Sequence, residues 1–315
     1  MSEINVLYAF DTRFWRMAAV SVYSLMKNKS PDTICNIYCM VPPHTRGRRK
    51  IEKISKSFPG RGAFIWRTIK KSENPFQTYY FSRWSPVIFY RLFAHKIFPK
   101  VDKLLYLDSD TMILDDLAEL YNTDITQYAS GAVIDMAPVM DAKNPNGQYV
   151  KTFSESYLKN GPYFNSGVLL INTKNMAKNE ILLKNIKVKL KYPDQDILNA
   201  ALAGKIRPLE LKYNLAPGVK IPKTFPKHQA DEAKLSPVIL HFYSGKPYNY
   251  ETTPREIYAL FYNTATAIGM HPNDFIKQEI RHRTKQIKHN NKNIIPALKI
   301  RGNKLTLLGL VTIKI

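Results

Sequence analysis

The sequence predicts an α/β fold, a mixed and mainly parallel sheet flanked by helices. Three observations carry this. The chain opens strand, helix, strand, the βαβ order that builds parallel sheets. Its later strands are near-continuous apolar runs, as strands covered on both faces require. One such run, Leu104-Leu105-Tyr106-Leu107, ends abruptly in two carboxylates, Asp108 and Asp110, at a strand end where open α/β sheets bind ligands.

Taken in order, residues 4–10 read as the first strand. Asp11-Thr12 offer a helix cap, and Trp15, Ala18, Ala19, Val22 and Leu25 then recur at helical spacing. Residues 34–41 form a second strand closed by Pro42-Pro43, a basic patch at 46–50 leads into a helix, and 63–66 is extended. Residues 74–84 are rich in aromatics. Ser85-Pro86 cap a helix running to about residue 97, which feeds the strand that ends at Asp108. Beyond Asp110 come a short acidic helix at 115–120 and a strand at 131–135. Residues 138–162 carry Asn, Gly, Pro and Tyr without periodicity and read as a long surface loop able to fold over a ligand. Residues 164–171 form a strand whose Gly167 signals close approach of backbone or ligand. A lysine-rich helix follows, Tyr192-Pro193 open another that runs to about 203, and 207–209 is extended. Residues 212–237 read as a proline-dotted loop before a last strand at 238–240 that ends in His241. From about 250 the chain reads as helical, and from His271 its charges are almost all Lys or Arg.

The net charge of +22 on 315 residues implies an anionic partner without choosing among nucleotide, phosphorylated glycan, acidic lipid and nucleic acid. The two cysteines, Cys35 and Cys39, share one strand, where four residues span roughly 13 Å. A disulfide needs Cα atoms within about 7 Å, so both read as core thiols of a reducing compartment. The first strand begins almost at Met1, no run approaches the ~18 apolar residues of a spanning helix, and the expectation is a cytoplasmic protein to which a membrane surface stays open.

Two like carboxylates held at one strand end repel, and a divalent cation relieves the repulsion. Asp108 and Asp110 are therefore read as metal ligands. His241 ends another strand and precedes Gly245 and Lys246. It is read as the third ligand, with turn amides and Lys246 reaching phosphate oxygens. Mixed carboxylate and imidazole ligation favours Mn²⁺, with Mg²⁺ an alternative. A second acidic doublet, Asp194-Gln195-Asp196, opens a helix, where acids also serve as caps and dipole partners.

Several ordered motifs together give the chain a resemblance to glycosyltransferase family 8, the retaining bacterial lipopolysaccharide galactosyl- and glucosyltransferases and their relatives. They are Ala9-Phe10-Asp11, Tyr90-Arg91, Leu107-Asp108-Ser109-Asp110, the run from Phe164 through Asn165-Ser166-Gly167 to Asn172, Asp194-Gln195-Asp196-Ile197-Leu198-Asn199, and His241 with Lys246-Pro247. The resemblance implies a GT-A fold, a UDP-hexose donor and Mn²⁺. On its pattern Ala9 and Asp11 line the uridine, Ser109 presents backbone to the ribose, and Lys246 with Gly245 holds the diphosphate. Arg91, Asn165, Asp194 and Gln195 surround the donor sugar, Gln195 and Asp194 being the catalytic pair. It also implies a catalytic domain at 1–250 and a glycan or lipooligosaccharide acceptor. The basic, helical region 251–315 is then expected to attach to an anionic membrane surface. The chain departs from the pattern in its closing turn: the family reads His-x-x-Gly-x-x-Lys-Pro-Trp, whereas here the turn is one residue shorter and Tyr248 stands for tryptophan.

Two rival readings exist. A nucleic-acid-binding protein explains the charge but supplies no base-recognition motif. A metal-dependent sugar nucleotidyltransferase needs a glycine-rich basic signature near the first strand, which Arg13-Phe14-Trp15-Arg16 does not supply. The expected partners are a UDP-hexose, a glycan acceptor and a membrane surface, with no nucleic acid.

Overall fold

The computed structural model describes residues 2–78, 84–136, 145–185, 190–223, 225–248, 253–271, 273–277, 298–301, 304–307 and 311–314. They form two compact units, Met1–Met270 and His271–Ile315.

The first unit is built on a seven-stranded sheet. In chain order its strands are β1 (Ser2–Ala9), β2 (Thr33–Val41), β3 (Arg61–Thr68), β4 (Lys103–Leu107), β6 (Ser130–Ile134), β7 (Phe164–Asn172) and β8 (Ile206–Pro208). The spatial order is β3-β2-β1-β4-β7-β6-β8. β1 runs parallel to β2 and β4, while β7 is antiparallel to β4 and β6. The mixed sheet expected from the sequence is thus present. Strand periodicity places side chains on alternate faces. Leu7, Ala9 and Tyr106 join a core with Phe89, Leu92, Ile197 and Leu198 on one side. On the other, the Tyr8 hydroxyl lies 3.2 Å from Ser21 Oγ, on α1 (Trp15–Asn28).

Helices α2 (Arg48–Lys56), α3 (Ala94–Ile97), α4 (Ala118–Asn122), α5 (Pro145–Tyr157), α6 (Thr173–Lys178), α7 (Glu180–Asn185), α8 (Pro193–Ala201), α9 (Lys227–Leu235) and α10 (Arg255–Ala267) complete the unit. A small two-stranded sheet, β5 (Thr111–Ile113) with β9 (Ile239–His241), sets Thr111 opposite His241. This pairing carries the fold's functional consequence, because it brings a segment from late in the chain against the end of β4.

Several expectations need correction. α1 starts at Trp15, its N-cap residue Phe14 has no side-chain cap, and Asp11 instead accepts the Arg13 N–H. The helix expected from Ser85 is mostly 3₁₀, Pro86–Phe93, before one turn of α3. The loop expected at 138–162 contains α5, whose Val150 and Phe153 pack with Leu158 and Tyr163; its first residues, 138–144, lie outside the described residues. The expected loop at 212–237 contains α9. The first unit extends past 250 because α10 buries Phe261 and Ala265. The region expected to be a basic helix carries, in its described residues from 298 onward, three antiparallel strands, β10 (Leu298–Arg301), β11 (Lys304–Leu307) and β12 (Val311–Lys314). Apolar and polar residues alternate there with period two, which is strand periodicity. Cys35 and Cys39 are both buried free thiols, and no described helix is long and apolar enough to cross a membrane.

Candidate active site

Asp108 follows β4 directly, and its N–H donates to the Gly167 carbonyl at 2.7 Å, continuing the β4–β7 ladder one residue beyond the strand. That places the carboxylate beside Gly167. An added Cβ at Gly167 would stand 2.0 Å from His241 Cε1 and 2.8 Å from Asp108 Oδ2, so only glycine permits this approach. His241 Nε2 lies 3.6 Å from Asp108 Oδ2 and 3.5 Å from Asp110 Oδ1. One ligand atom from each of the three residues falls within 4.8 Å of the others. Ligands about 2.1 Å from a shared octahedral ion lie roughly 3 to 4.2 Å apart. The donor set and its spacing therefore fit a divalent cation.

Cations flank this cluster on two sides. Lys246 Nζ donates to Asp110 Oδ2 at 2.8 Å and lies 5.2 Å from the centre of the Phe14 ring. Burial by itself would raise the Asp110 pKa, but Lys246 and His241 outweigh it and hold the carboxyl far below the usual carboxylate range. The shortened turn thus still delivers its lysine to the site, with Gly245 one residue before it. On the other side the buried Arg91 donates to Asp108 Oδ1 at 2.7 Å and Oδ2 at 3.2 Å. Arg91 Nε pairs with Asp194 Oδ2 at 3.2 Å, and its guanidinium lies 4.5 Å from the centre of the Tyr106 ring. Burial opposes its charge, yet Asp108, Tyr106 and Asp194 together raise its pKa further. Burial also raises the Asp194 pKa, against the pull of Arg91.

A model of glycosyl transferase family 8 matches residues 5–252. The chain belongs to that family. A putative glycosyltransferase of Haemophilus influenzae is 30% identical over 223 residues, covering 68% of this chain and 64% of the relative. A lipopolysaccharide 1,2-glucosyltransferase of Escherichia coli K12 is 27% identical over 219 residues, covering 67% of this chain and 62% of the relative. The chain thus spans a little under two thirds of the length of these two relatives. Among solved structures, the galactosyltransferase LgtC in complex with donor and acceptor sugar analogues aligns with a TM-score of 0.68 at 20% identity, over 87% of this chain and all of that one. The bifunctional glycosyltransferase WbbM aligns with a TM-score of 0.69 at 20% identity, over 88% of this chain and 52% of that one. The fold is the GT-A fold of these enzymes.

Within this family-8 frame the residues singled out from the sequence gather at one end of the sheet. β1 sets Tyr8 opposite Leu107, so Ala9, the last residue of β1, lies at the end of the sheet from which Asp108 emerges. Asp11 is paired with Arg13 Nε at 3.1 Å. Ser109 is buried between the two aspartates. Gln195 is fixed at both ends of its amide, accepting from Ser166 N at 2.9 Å and donating to Asp135 Oδ2 at 2.8 Å. The two acids of Asp194-Gln195-Asp196 part company. Asp194 faces Arg91 and accepts from Ser166 Oγ at 2.9 Å. Asp196 turns away into the core, where its carboxylate takes the hydroxyls of Tyr149 and Tyr163 and the backbone N–H groups of Lys191 and Tyr192.

Three residues at the site were missed from the sequence. Asp135, buried just past the end of β6, accepts from both Asn165 and Gln195; it obeys the same strand-end rule that marked Asp108. Asn214 touches His241, and Ser166 touches Arg91 and Asp194. Asn214 lies in a segment with no periodicity and gave no signal. The aromatic-rich segment 74–84 is described only in part, and its Phe76 is buried, stacked on Phe89 at 5.3 Å. The segment 138–162 contributes α5 beside α8.

Proposed function

We propose that the chain is a retaining hexosyltransferase that moves glucose or galactose from a UDP-sugar to a glycan or lipooligosaccharide acceptor, with a divalent cation, Mn²⁺ before Mg²⁺, held by Asp108, Asp110 and His241. The observation that carries this is the convergence of those three ligands beside Lys246. Family membership and the relatives that act on lipopolysaccharide support it.

Asp108, Asp110 and His241 would hold a cation that, when bound, would supply positive charge to the leaving diphosphate. Lys246 adds a second positive charge to the diphosphate. Ala9 and Asp11 hold the uridine, Ser109 offers backbone to the ribose, and Gly245 lets the closing turn approach the phosphates. Arg91 and Asn165 line the sugar. A double-displacement route needs a carboxylate nucleophile close to the anomeric carbon. Gln195 is an amide, and Asp194 is already committed to Arg91 and Ser166. Front-face transfer follows: the C–O bond to the diphosphate breaks, the acceptor hydroxyl bonds the anomeric carbon on the same face, and its proton passes to the leaving phosphate oxygen. Gln195 and Asp194 support the positive charge that develops on the sugar. A panel of UDP-sugars scored by Mn²⁺-dependent UDP release tests this reading; no release with any hexose donor would sink it. A glycosyl adduct trapped on Asp194 would overturn the front-face route.

A lipid-built acceptor fits a protein docked on an anionic surface, where each Lys or Arg contributes ~1 kcal/mol. The basic residues after His271 are proposed to supply that contact. A chain ending at Met270, where the first unit ends, is expected to leave anionic liposomes while still hydrolysing UDP-sugar; unchanged liposome binding would refute the attachment.

A further inference from the structure

We infer that Asn214 sets the tautomer of His241 and is thereby a positioning residue of the cation site, acting at the end of a one-way hydrogen-bond relay that starts at Asp135. This rests on the reading of His241 as a metal ligand.

The relay is fixed by a group with a single possible role. A backbone N–H only donates, so Gly167 N sets Asn165 Oδ1 as its acceptor and turns the Asn165 amino group to Asp135 Oδ2, 3.2 Å away. The same Oδ1 accepts from Gly167 N at 2.9 Å and from Asn214 Nδ2 at 2.9 Å. With its amino group committed to Asn165, Asn214 has only its oxygen left for His241, and that oxygen stands 2.9 Å from Nδ1. An amide oxygen cannot donate, so Nδ1 must carry the proton. Nε2 is left with a bare lone pair, facing Asp108 Oδ2 and Asp110 Oδ1 at 3.6 and 3.5 Å.

The direction matters because a metal binds the lone pair and not an N–H. A neutral imidazole free in water favours its proton on Nε2, the wrong nitrogen for this site. The protein therefore has to impose the less favoured tautomer, and the three side chains that do so, Asp135, Asn165 and Asn214, are buried, as is His241 itself. Backbone pairing puts Asn214 in place independently of its side chain: Leu215 N donates to Ile239 O, and His241 N donates to Leu215 O, both at 2.9 Å. The same Asp135 oxygen accepts from Gln195 Nε2 at 2.8 Å. One carboxylate thus orients both the metal ligand and the amide beside the sugar.

The test uses the full chain and two readouts. In metal-free protein labelled with ¹⁵N-histidine, at a pH where the ring is neutral, long-range proton–nitrogen correlation should show His241 protonated on Nδ1, its signal assigned by loss in His241→Gln. Mn²⁺ affinity should fall about 10- to 100-fold in Asn214→Leu, which removes the acceptor. It should stay within about tenfold of the parent in Asn214→Asp, which keeps an acceptor for Nδ1–H. An Nε2–H tautomer in the parent protein overturns the inference, and so does unchanged affinity in Asn214→Leu. Equal losses in the Leu and Asp variants would assign Asn214 a purely steric role and overturn it as well. If Asn214→Leu does not fold, the parent tautomer decides. If the parent chain binds no Mn²⁺ at all, the metal reading fails, while the metal-free tautomer still tests the relay on its own.

Discussion

Replacing Gly167 by alanine tests the packing that builds the site. The new methyl carbon would stand 2.0 Å from His241 Cε1 and 2.8 Å from Asp108 Oδ2. Carbon atoms rest at about 3.5 Å or more, so the ring must retreat by roughly 1.5 Å or β7 must shift. Either movement separates Nε2 from the carboxylates it now faces. Misplacement of about 1 Å costs on the order of 100-fold in rate, so Mn²⁺-dependent UDP release should fall by at least that factor, with Mn²⁺ affinity falling in parallel by calorimetry. Overpacking costs about 1 to 3 kcal/mol, a loss of roughly 2 to 12 °C in Tm for a unit of this size, so the variant should fold. A Gly167→Ala protein that binds Mn²⁺ and turns over like the parent would refute the claim that His241 and Asp108 meet at a cation.

Lys246→Met should lower kcat for UDP release about 100- to 1,000-fold at saturating Mn²⁺ if the ammonium stabilises the leaving diphosphate; a loss under tenfold would reduce Lys246 to an ion partner of Asp110. Asp196→Asn should cost about 2 to 4 kcal/mol, seen as a Tm drop of roughly 4 to 16 °C, because an amide cannot accept from both tyrosine hydroxyls and both backbone donors. An unchanged melt would show that those contacts are not needed to seat α5. Glu180 is held at about 2: burial pushes its pKa up, but Lys184 and Lys96 outweigh it. A folded pKa below the unfolded one gives stability that is present above the unfolded value near 4.5 and is lost as pH falls towards 2. Glu180→Gln should therefore lower stability by about 1 to 2 kcal/mol at pH 7, after allowance for solvent screening, and by nothing near pH 2. A gap between the two melting curves that did not close on acidification would contradict this.

What the residues alone revealed of the cation cluster followed from one rule, charge delivered by a buried strand. It marked Asp108, Asp110 and His241, which the β4 end and the β5–β9 pair bring together. Asp135 satisfied the same rule but stood alone, without a second acid to force the question. Asn214 was invisible because it is placed by the Leu215 backbone and not by a pattern of its own. Sequence spacing could not tell Asp194 from Asp196, since both open α8; which one reached Arg91 depended on the direction of the first helical turn against Tyr149 and Tyr163.

The parallel start of the sheet followed from βαβ logic, yet two helices were hidden. Pro145-Asn146-Gly147 has the composition of a turn, although proline is tolerated at a helix's first position. α9 buries only Ala233, so it shows no apolar stripe. In the C-terminal strands the lysines drew attention to charge, while the diagnostic feature was the alternation of Leu298, Ile300, Leu305 and Leu307 with polar residues.

The cation site itself is reached by comparing Asp110→Asn with the parent for Mn²⁺ binding and Mn²⁺-dependent UDP release, with circular dichroism to verify the fold. A folded variant that loses both is the expected result. A folded variant with parental binding and full UDP release would contradict the assignment of the cation site, and the mechanism with it.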